Sequence, residues 1–219
     1  MKLVLAFDIE RSGATDEYET IAIGASVLDE NLKELDNFLY LNYYPSETKF
    51  EPRCVKEFWS KHTDILSSLT YKGTLSKEDN EKEMINSFQQ FRSKWENYAK
   101  ENSHQLYFVS DNTLYDGGFV NQLIYKHMKG TLPIPYSAST QEYEDFFEST
   151  SIIKGILLSN DLSDDWNLWN KLKTIYDLPE SKIKENHNPT NDAYNIAFKT
   201  QILLNINKYD KICNKKLKM

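Results

Sequence analysis

Asp8 and Glu10 stand two residues apart on the first apolar run of the chain, Lys2-Leu3-Val4-Leu5-Ala6-Phe7. That run is short, apolar and built of strand-compatible residues, so it reads as a buried strand with the two acids at or near its end. Residues i and i+2 of a strand project from one face. Two carboxylates held ~4 Å apart repel by roughly 4 kcal/mol at an effective dielectric of about 20. A fold keeps such a pair most readily with a positive charge between them, and the cations suited to hard oxygen donors are Mg2+ and Mn2+. The same Asp-x-Glu also suits the start of a solvated loop, and Ile9 and Arg11-Ser12-Gly13 are compatible with both readings.

Further acids lie downstream. Ser110-Asp111-Asn112-Thr113-Leu114-Tyr115-Asp116-Gly117-Gly118-Phe119 is a polar, glycine-containing passage from a strand to a helix, the kind of connection where functional groups sit on backbone held by rigid neighbours. Asp111 reads as a helix cap or an ordinary turn residue, and Asp116 as either a cap or a ligand. In Asn186-His187-Asn188-Pro189-Thr190-Asn191-Asp192, Asn188 is placed to cap a helix with Pro189 at its first position. Asp192 then falls just past the first turn on the face of Ile196, and His187 just before the cap, so the two approach one site. His62 and His104 lie on or beside helices with polar neighbours, and His127 near a helix end complements the dipole.

The order Asp8, Glu10, Asp116, Asp192, with His187 five residues before the last, resembles the DEDDh 3′–5′ exonucleases, the RNase H-like family that includes RNase T and the proofreading exonuclease subunits. Phe7-Asp8-Ile9-Glu10 matches the first motif, Asn112 through Tyr115-Asp116 the second, and His187 with Asp192 the third. Tyr115 and the downstream Phe119 favour Asp116 over Asp111 as the acid of the second motif. Phe58-Trp59-Ser60-Lys61 is similar to a tryptophan-bearing stretch of some phage-type members. The resemblance implies a hydrolase that removes nucleotides from the 3′ end of single-stranded DNA or RNA with two divalent cations, Mg2+ or Mn2+. It implies that Asp8, Glu10 and Asp192 hold one ion, that Asp8 bridges to the second with Asp116, and that His187 is the base, a task suited to an imidazole with its ordinary pKa near ~6.5. Ile9, Arg11 and Tyr115 are expected to touch the terminal nucleotide, although Arg11 stands where many members carry a small polar residue. Phe7, Phe58 and Trp59 are aromatic platforms for a splayed base or core residues. An endonuclease on the same fold, or a non-catalytic nucleic-acid-binding module, would keep the acids with a different product pattern or with none.

The elements that must position these residues follow from periodicity. Thr20–Leu28 and Asn37–Tyr44 read as strands joined by an Asp29–Lys33 turn, which makes an antiparallel meander with the first strand. Val55, Phe58, Trp59 and His62 fall at helical spacing after Pro52. Met84, Ile85, Phe88, Phe91, Trp95 and Tyr98 predict one long amphipathic helix over Ser76–Asn102. Leu106–Ser110 predicts a fourth strand, and a helix follows over about Asp116–Lys129. Residues 131–163 match no pattern that assigns a substrate, and Ser151–Ile156 suits a short strand or the start of a helix. Two helices, around Asp164–Tyr176 and Pro189–Ile206, close the chain. The expected fold is α/β, an RNase H-like mixed sheet with its antiparallel meander first, parallel strands after it, and helices on both faces.

At 219 residues the chain suits a single domain, set at 1–207, with a basic tail over 208–219. A formal net charge of −7 argues against an extended basic surface for duplex nucleic acid while leaving room for a local groove. Cys54 and Cys213 lie far apart with no metal-ligand spacing, which argues against a disulfide scaffold or a zinc site and fits a reducing compartment. With no apolar span of membrane length and no leader pattern, the expectation is a soluble, cytoplasmic protein. The outer side of the long helix is a candidate surface for a homodimer.

Overall fold

Alternation along the first strand decides how the layers assemble. Leu3, Leu5, Phe7 and Ile9 are buried in one core cluster, whereas Val4 and Ala6 are buried in another on the opposite side of the sheet. A strand apolar on both faces must be covered twice, and that places it at the centre of a three-layer fold. The computed structural model of the protein describes residues 1–129, 146–158, 168–184 and 186–209. The strands are β1 (Lys2–Arg11), β2 (Thr20–Leu28), β3 (Glu34–Leu41), β4 (Gln105–Ser110) and β5 (Phe146–Glu148), in the spatial order β3-β2-β1-β4-β5. β1 pairs antiparallel with β2, and β2 with β3, while β4 runs parallel to β1 and β5 parallel to β4. This is the mixed sheet expected from the sequence, extended by β5.

On one face lie α3 (Lys77–Glu101) and α4 (Gly118–Met128). Met84, Ile85, Phe88 and Trp95 of α3 and Val120 and Ile124 of α4 pack with Leu5 and Phe7. On the other face lie α5 (Ser149–Leu158), α6 (Leu168–Ile175) and α7 (Pro189–Leu203), whose Ile153, Leu157, Leu172, Ile196 and Ala197 pack with Val4 and Ala6. The long helix begins as expected at Ser76, whose Oγ accepts the Asp79 N–H at 3.2 Å. Beyond one end of β1, α1 (Pro52–Glu57), a short 3₁₀ turn (Trp59–Lys61) and α2 (Thr63–Ser68) form a small additional layer. Buried Trp59 donates its indole N–H to the Arg11 carbonyl at 3.1 Å, which fastens this layer to the end of β1.

Two expectations shift. β3 covers Glu34–Leu41 rather than Asn37–Tyr44. The Asp29 carboxylate accepts the N–H groups of Asn31 and Lys33 at 2.8 and 3.0 Å, closing a tight turn that lets pairing resume at Glu34. At the other end Asn42 turns inward, donating to the Thr20 carbonyl at 3.1 Å and accepting from Asn80 at 2.9 Å. The helix expected from Asp116 begins at Gly118 and is preceded by a π-helical turn over Thr113–Gly117. Within 131–163, residues 146–158 form β5 and α5. The rest of that stretch, the start of the helix at Asp164 and the tail from residue 210 lie outside the described residues. Among the described residues no helix is long and apolar enough to cross a membrane.

Candidate active site

β1 runs through Asp8 and Glu10, which lie near its end as expected, so both acids take the parity of Val4 and Ala6 and face the α7 side. β1, β4 and β5 are parallel, and the crevice outside the carboxyl ends of such strands is where open α/β sheets bind ligands. A cavity of about 410 Å³ opens there, and its wall includes Asp8, Glu10, Asp111, Asp116, His187 and Asp192.

Each side chain arrives for a local reason. Asp116 belongs to the π-helical turn after β4. The cap of that turn is Asn112, whose Oδ1 accepts the Tyr115 N–H at 3.1 Å, so neither Asp111 nor Asp116 serves as the cap. π-Helical turns concentrate at functional sites because the extra residue re-aims side chains. Asp116 is 3% exposed, and its Oδ2 has no hydrogen-bond partner among the described residues. At the start of α7, Asn188 accepts the N–H groups of Thr190 and Asn191 at 3.1 and 3.4 Å, with Pro189 in the first turn, as the sequence implies. Asp192 Oδ1 accepts the Asn186 N–H at 3.2 Å, which folds the preceding segment back over the helix. His187, held between these two anchors, adopts the left-handed φ of 58°. Its ring lies 4.6 Å from Phe58 and 4.5 Å from His62, centroid to centroid.

Gly24 makes this convergence possible. It lies opposite Asp8 in the β1–β2 register, and a Cβ there would stand 2.1 Å from the Pro189 carbonyl carbon and 2.2 Å from the Thr190 nitrogen. Only glycine lets the first turn of α7 lie this close to the sheet. The Thr190 hydroxyl ties the same turn to β3, donating to the Phe38 carbonyl at 3.0 Å.

The acids form two groups. Glu10, His187 and Asp192 each place a donor atom within 4.8 Å of one another, and so do Asp8, Asp111 and Asp116. Asp8 shares the second group, and its carboxyl also feels the charges of Glu10 and Asp192. Burial, followed by the charges of Asp116, Glu10, Asp111 and Asp192, pushes the Asp8 carboxyl well above the usual carboxylate range. Burial, then Asp192 and Asp116, does the same to Glu10. Asp116 is pushed up to about 8 by burial and by the Asp111 carboxyl beside it, with the backbone N–H bond at this turn opposing. Like charges brought together out of water need either protons or a cation. The donor set, oxygen-rich with one imidazole and a buried oxygen lacking a partner among the described residues, fits Mg2+ or Mn2+.

The residues expected to touch a nucleotide separate. Ile9 and Tyr115 border the cavity, and the Tyr115 hydroxyl donates to the Gly13 carbonyl at 3.3 Å. Arg11 does not line it: the guanidinium donates to the carbonyls of Thr15, at 2.9 Å, and Tyr18, and it sits 3.1 Å from the centre of the Phe119 ring. These contacts hold Arg11 on the Phe119 side, past the bulge at Glu10/Arg11. Phe7 and Trp59 are core residues, 0% and 2% exposed, and only Phe58 of the three reaches His187. The sequence reading did not place Ser149, Thr150 or Lys199 in the wall, where they lie. For Lys199 a signal existed, because Asp192, Ile196 and Lys199 share one helical face at i, i+4 and i+7.

The sequence matches no family model, and no curated protein matches it. The structure is similar to the crystal structure of cell-death related nuclease 4, CRN-4, with a TM-score of 0.53 and 16% sequence identity. The match covers 93% of this chain and 64% of that one, so the chain spans under two thirds of that nuclease. At this identity the likeness establishes a shared fold, a mixed α/β sheet flanked by helices.

Proposed function

We propose that the chain is a metal-dependent 3′–5′ exonuclease acting on the 3′ end of single-stranded DNA or RNA. The observation that carries this reading is the convergence of Asp8, Glu10, Asp116, His187 and Asp192 from three separate parts of the chain on one cavity. The fold shared with a nuclease agrees with it. Glu10 and Asp192 would hold one divalent cation, and Asp8 with Asp116 the other. Two such cations, when bound, neutralise charge on the attacking and leaving oxygens and acidify the water that attacks phosphorus. A ring nitrogen of His187 takes the proton from that water, and the imidazole is held for the task by the bonded segment before α7 and by the Phe58 and His62 rings. A cavity of about 410 Å³ is of small-ligand size, which suits a splayed chain end.

The test is degradation of 3′- and 5′-labelled single-stranded DNA and RNA with Mg2+, Mn2+ or EDTA, comparing the native chain with Asp8→Ala and His187→Ala. The expected result is metal-dependent release of mononucleotides from the 3′ end, lost in both variants, with the relative rates identifying the preferred sugar. Internal fragments would replace the exonuclease with an endonuclease on the same fold. Intact substrate in every condition, from a folded protein, would refute hydrolysis.

A further inference from the structure

Asp111 sits where the four-acid pattern has no ligand, yet it is drawn into the site. It borders the cavity, and its carboxylate lies within 4.8 Å of donor atoms of both Asp8 and Asp116. Capping of the turn falls to Asn112, and the Asp111 carboxyl lies against that of Asp116. A carboxylate cluster alone is common on protein surfaces. This one encloses a second feature: Asp116, 3% exposed and bordering the cavity, has an Oδ2 with no hydrogen-bond partner among the described residues. A buried carboxylate oxygen left in that state costs free energy unless a positive group meets it. Asp8 and Asp111 face the same point, and three oxygen donors from three side chains make a partial cage for a hard cation that keeps water in its remaining positions.

We propose that Asp111 is a fifth carboxylate of the site, a direct ligand that closes the Asp8–Asp116 cation site from the solvent side. The inference rests on the metal-dependent reading above. Asp8 and Asp116 supply the inner oxygens. Asp111, which is exposed, supplies the outer one and sets how tightly this cation is held, while Glu10 and Asp192 hold the other cation without it. The two sites therefore differ in their dependence on Asp111, and that difference is measurable without any substrate.

The experiment is titration of the metal-free full chain with Mn2+, following the loss of the free-ion electron paramagnetic resonance signal, for the native chain, Asp111→Ala, Asp111→Glu and Glu101→Gln. Glu101→Gln removes an equal charge at the far end of α3. The native chain and Glu101→Gln are expected to bind two Mn2+ per chain with the same affinities. In Asp111→Ala one ion binds as before and the other at least about 10-fold more weakly, since losing even a partner of a metal ligand costs about 10- to 100-fold, with Asp111→Glu recovering part of the loss. An Asp111→Ala profile that superimposes on the native one overturns the inference and leaves the exonuclease reading standing. A native chain that binds no Mn2+ overturns both. Circular dichroism of each variant confirms that the exposed substitution leaves the fold intact.

Discussion

The two faces of β1 are built from one strand by opposite means. Toward α3, Phe7 stacks on Phe108 with ring centroids 4.9 Å apart and meets Phe88 at 5.5 Å, so the layer is filled by bulk. Toward α7, the strand carries Ala6 before Asp8 and Glu10. The partners are Gly24 across the ladder and the buried Ala193 and Ala197 on the helix. Here the layer is closed by proximity, with a helix backbone lying where a Cβ on Gly24 would stand. The contrast teaches why acids occupy one face and not the other. Asp has a short side chain, and acids from a strand and a helix meet only if their backbones approach closely. Bulk on the first face supplies the stability that lets the second hold a cluster of like charges.

Paired substitutions at adjacent positions break this comparison most sharply. Asp8→Asn is expected to lower cleavage about 10³-fold or more, since several kcal/mol of charge stabilisation are lost with it, while the chain remains folded. Phe7→Ala, one residue away and on the other face, is expected to cost about 3–5 kcal/mol of stability and to leave the activity of the folded fraction close to native. Urea denaturation and single-turnover cleavage on both variants decide it. Activity lost through Phe7→Ala in a fully folded sample would show that the faces are not independent.

His187→Gln tests the acid face alone. It should lower cleavage about 10²- to 10⁴-fold, the range for removing a general base, with thermal stability unchanged within error. A loss confined to KM would assign His187 to binding instead. Gly24→Ala tests the closeness of the layers. Overpacking costs about 1–3 kcal/mol in general, and here the clash is with backbone, so the upper end is expected. Cleavage should fall with it, because the turn carrying Asp192 must move. Native activity in a stable Gly24→Ala chain would mean that the site does not depend on how near α7 lies.

Much of this was legible in the sequence because parity and helical period act locally. The first strand, the pairing of Asp8 with Glu10 on one face, the Asn188–Pro189 start and the shared face of Asp192 and Ile196 all follow from spacing. What was not legible depended on contacts distant along the chain. Asp111 read as a cap or turn residue because nothing local showed that Asn112 takes the cap. Arg11 was expected at the nucleotide because it follows Glu10, yet the carbonyls of Thr15 and Tyr18 hold its guanidinium over Phe119. His62 gained a neighbour in His187 only through the fold, since Trp59 pins its segment to the end of β1. The Gly24 requirement comes from a helix more than 160 residues downstream.

The smallest effect expected is also the one most specific to the acid face. In the metal-free chain the Asp116 carboxyl is raised from its ordinary value of 3.8 to about 8 by burial and by Asp111. Between those values the folded chain keeps a proton that the unfolded chain has released, so stability falls as pH rises across that interval and levels off above it. Asp116→Asn removes the titration, and in EDTA near pH 8 it should gain on the order of 1 kcal/mol, which is about 2–4 °C in Tm for a chain of this size. Its advantage should shrink toward pH 4, where the native carboxyl is protonated in both states. Mn2+ should reverse the ranking, stabilising the native chain and not the variant, because a bound cation favours the ionised carboxylate that the proton had replaced. Phe88→Ala, on the face without acids, should lower Tm by a similar amount at every pH. Parallel pH profiles for the native chain and Asp116→Asn would show that repulsion at this site is relieved by some other route than a shared proton or a cation.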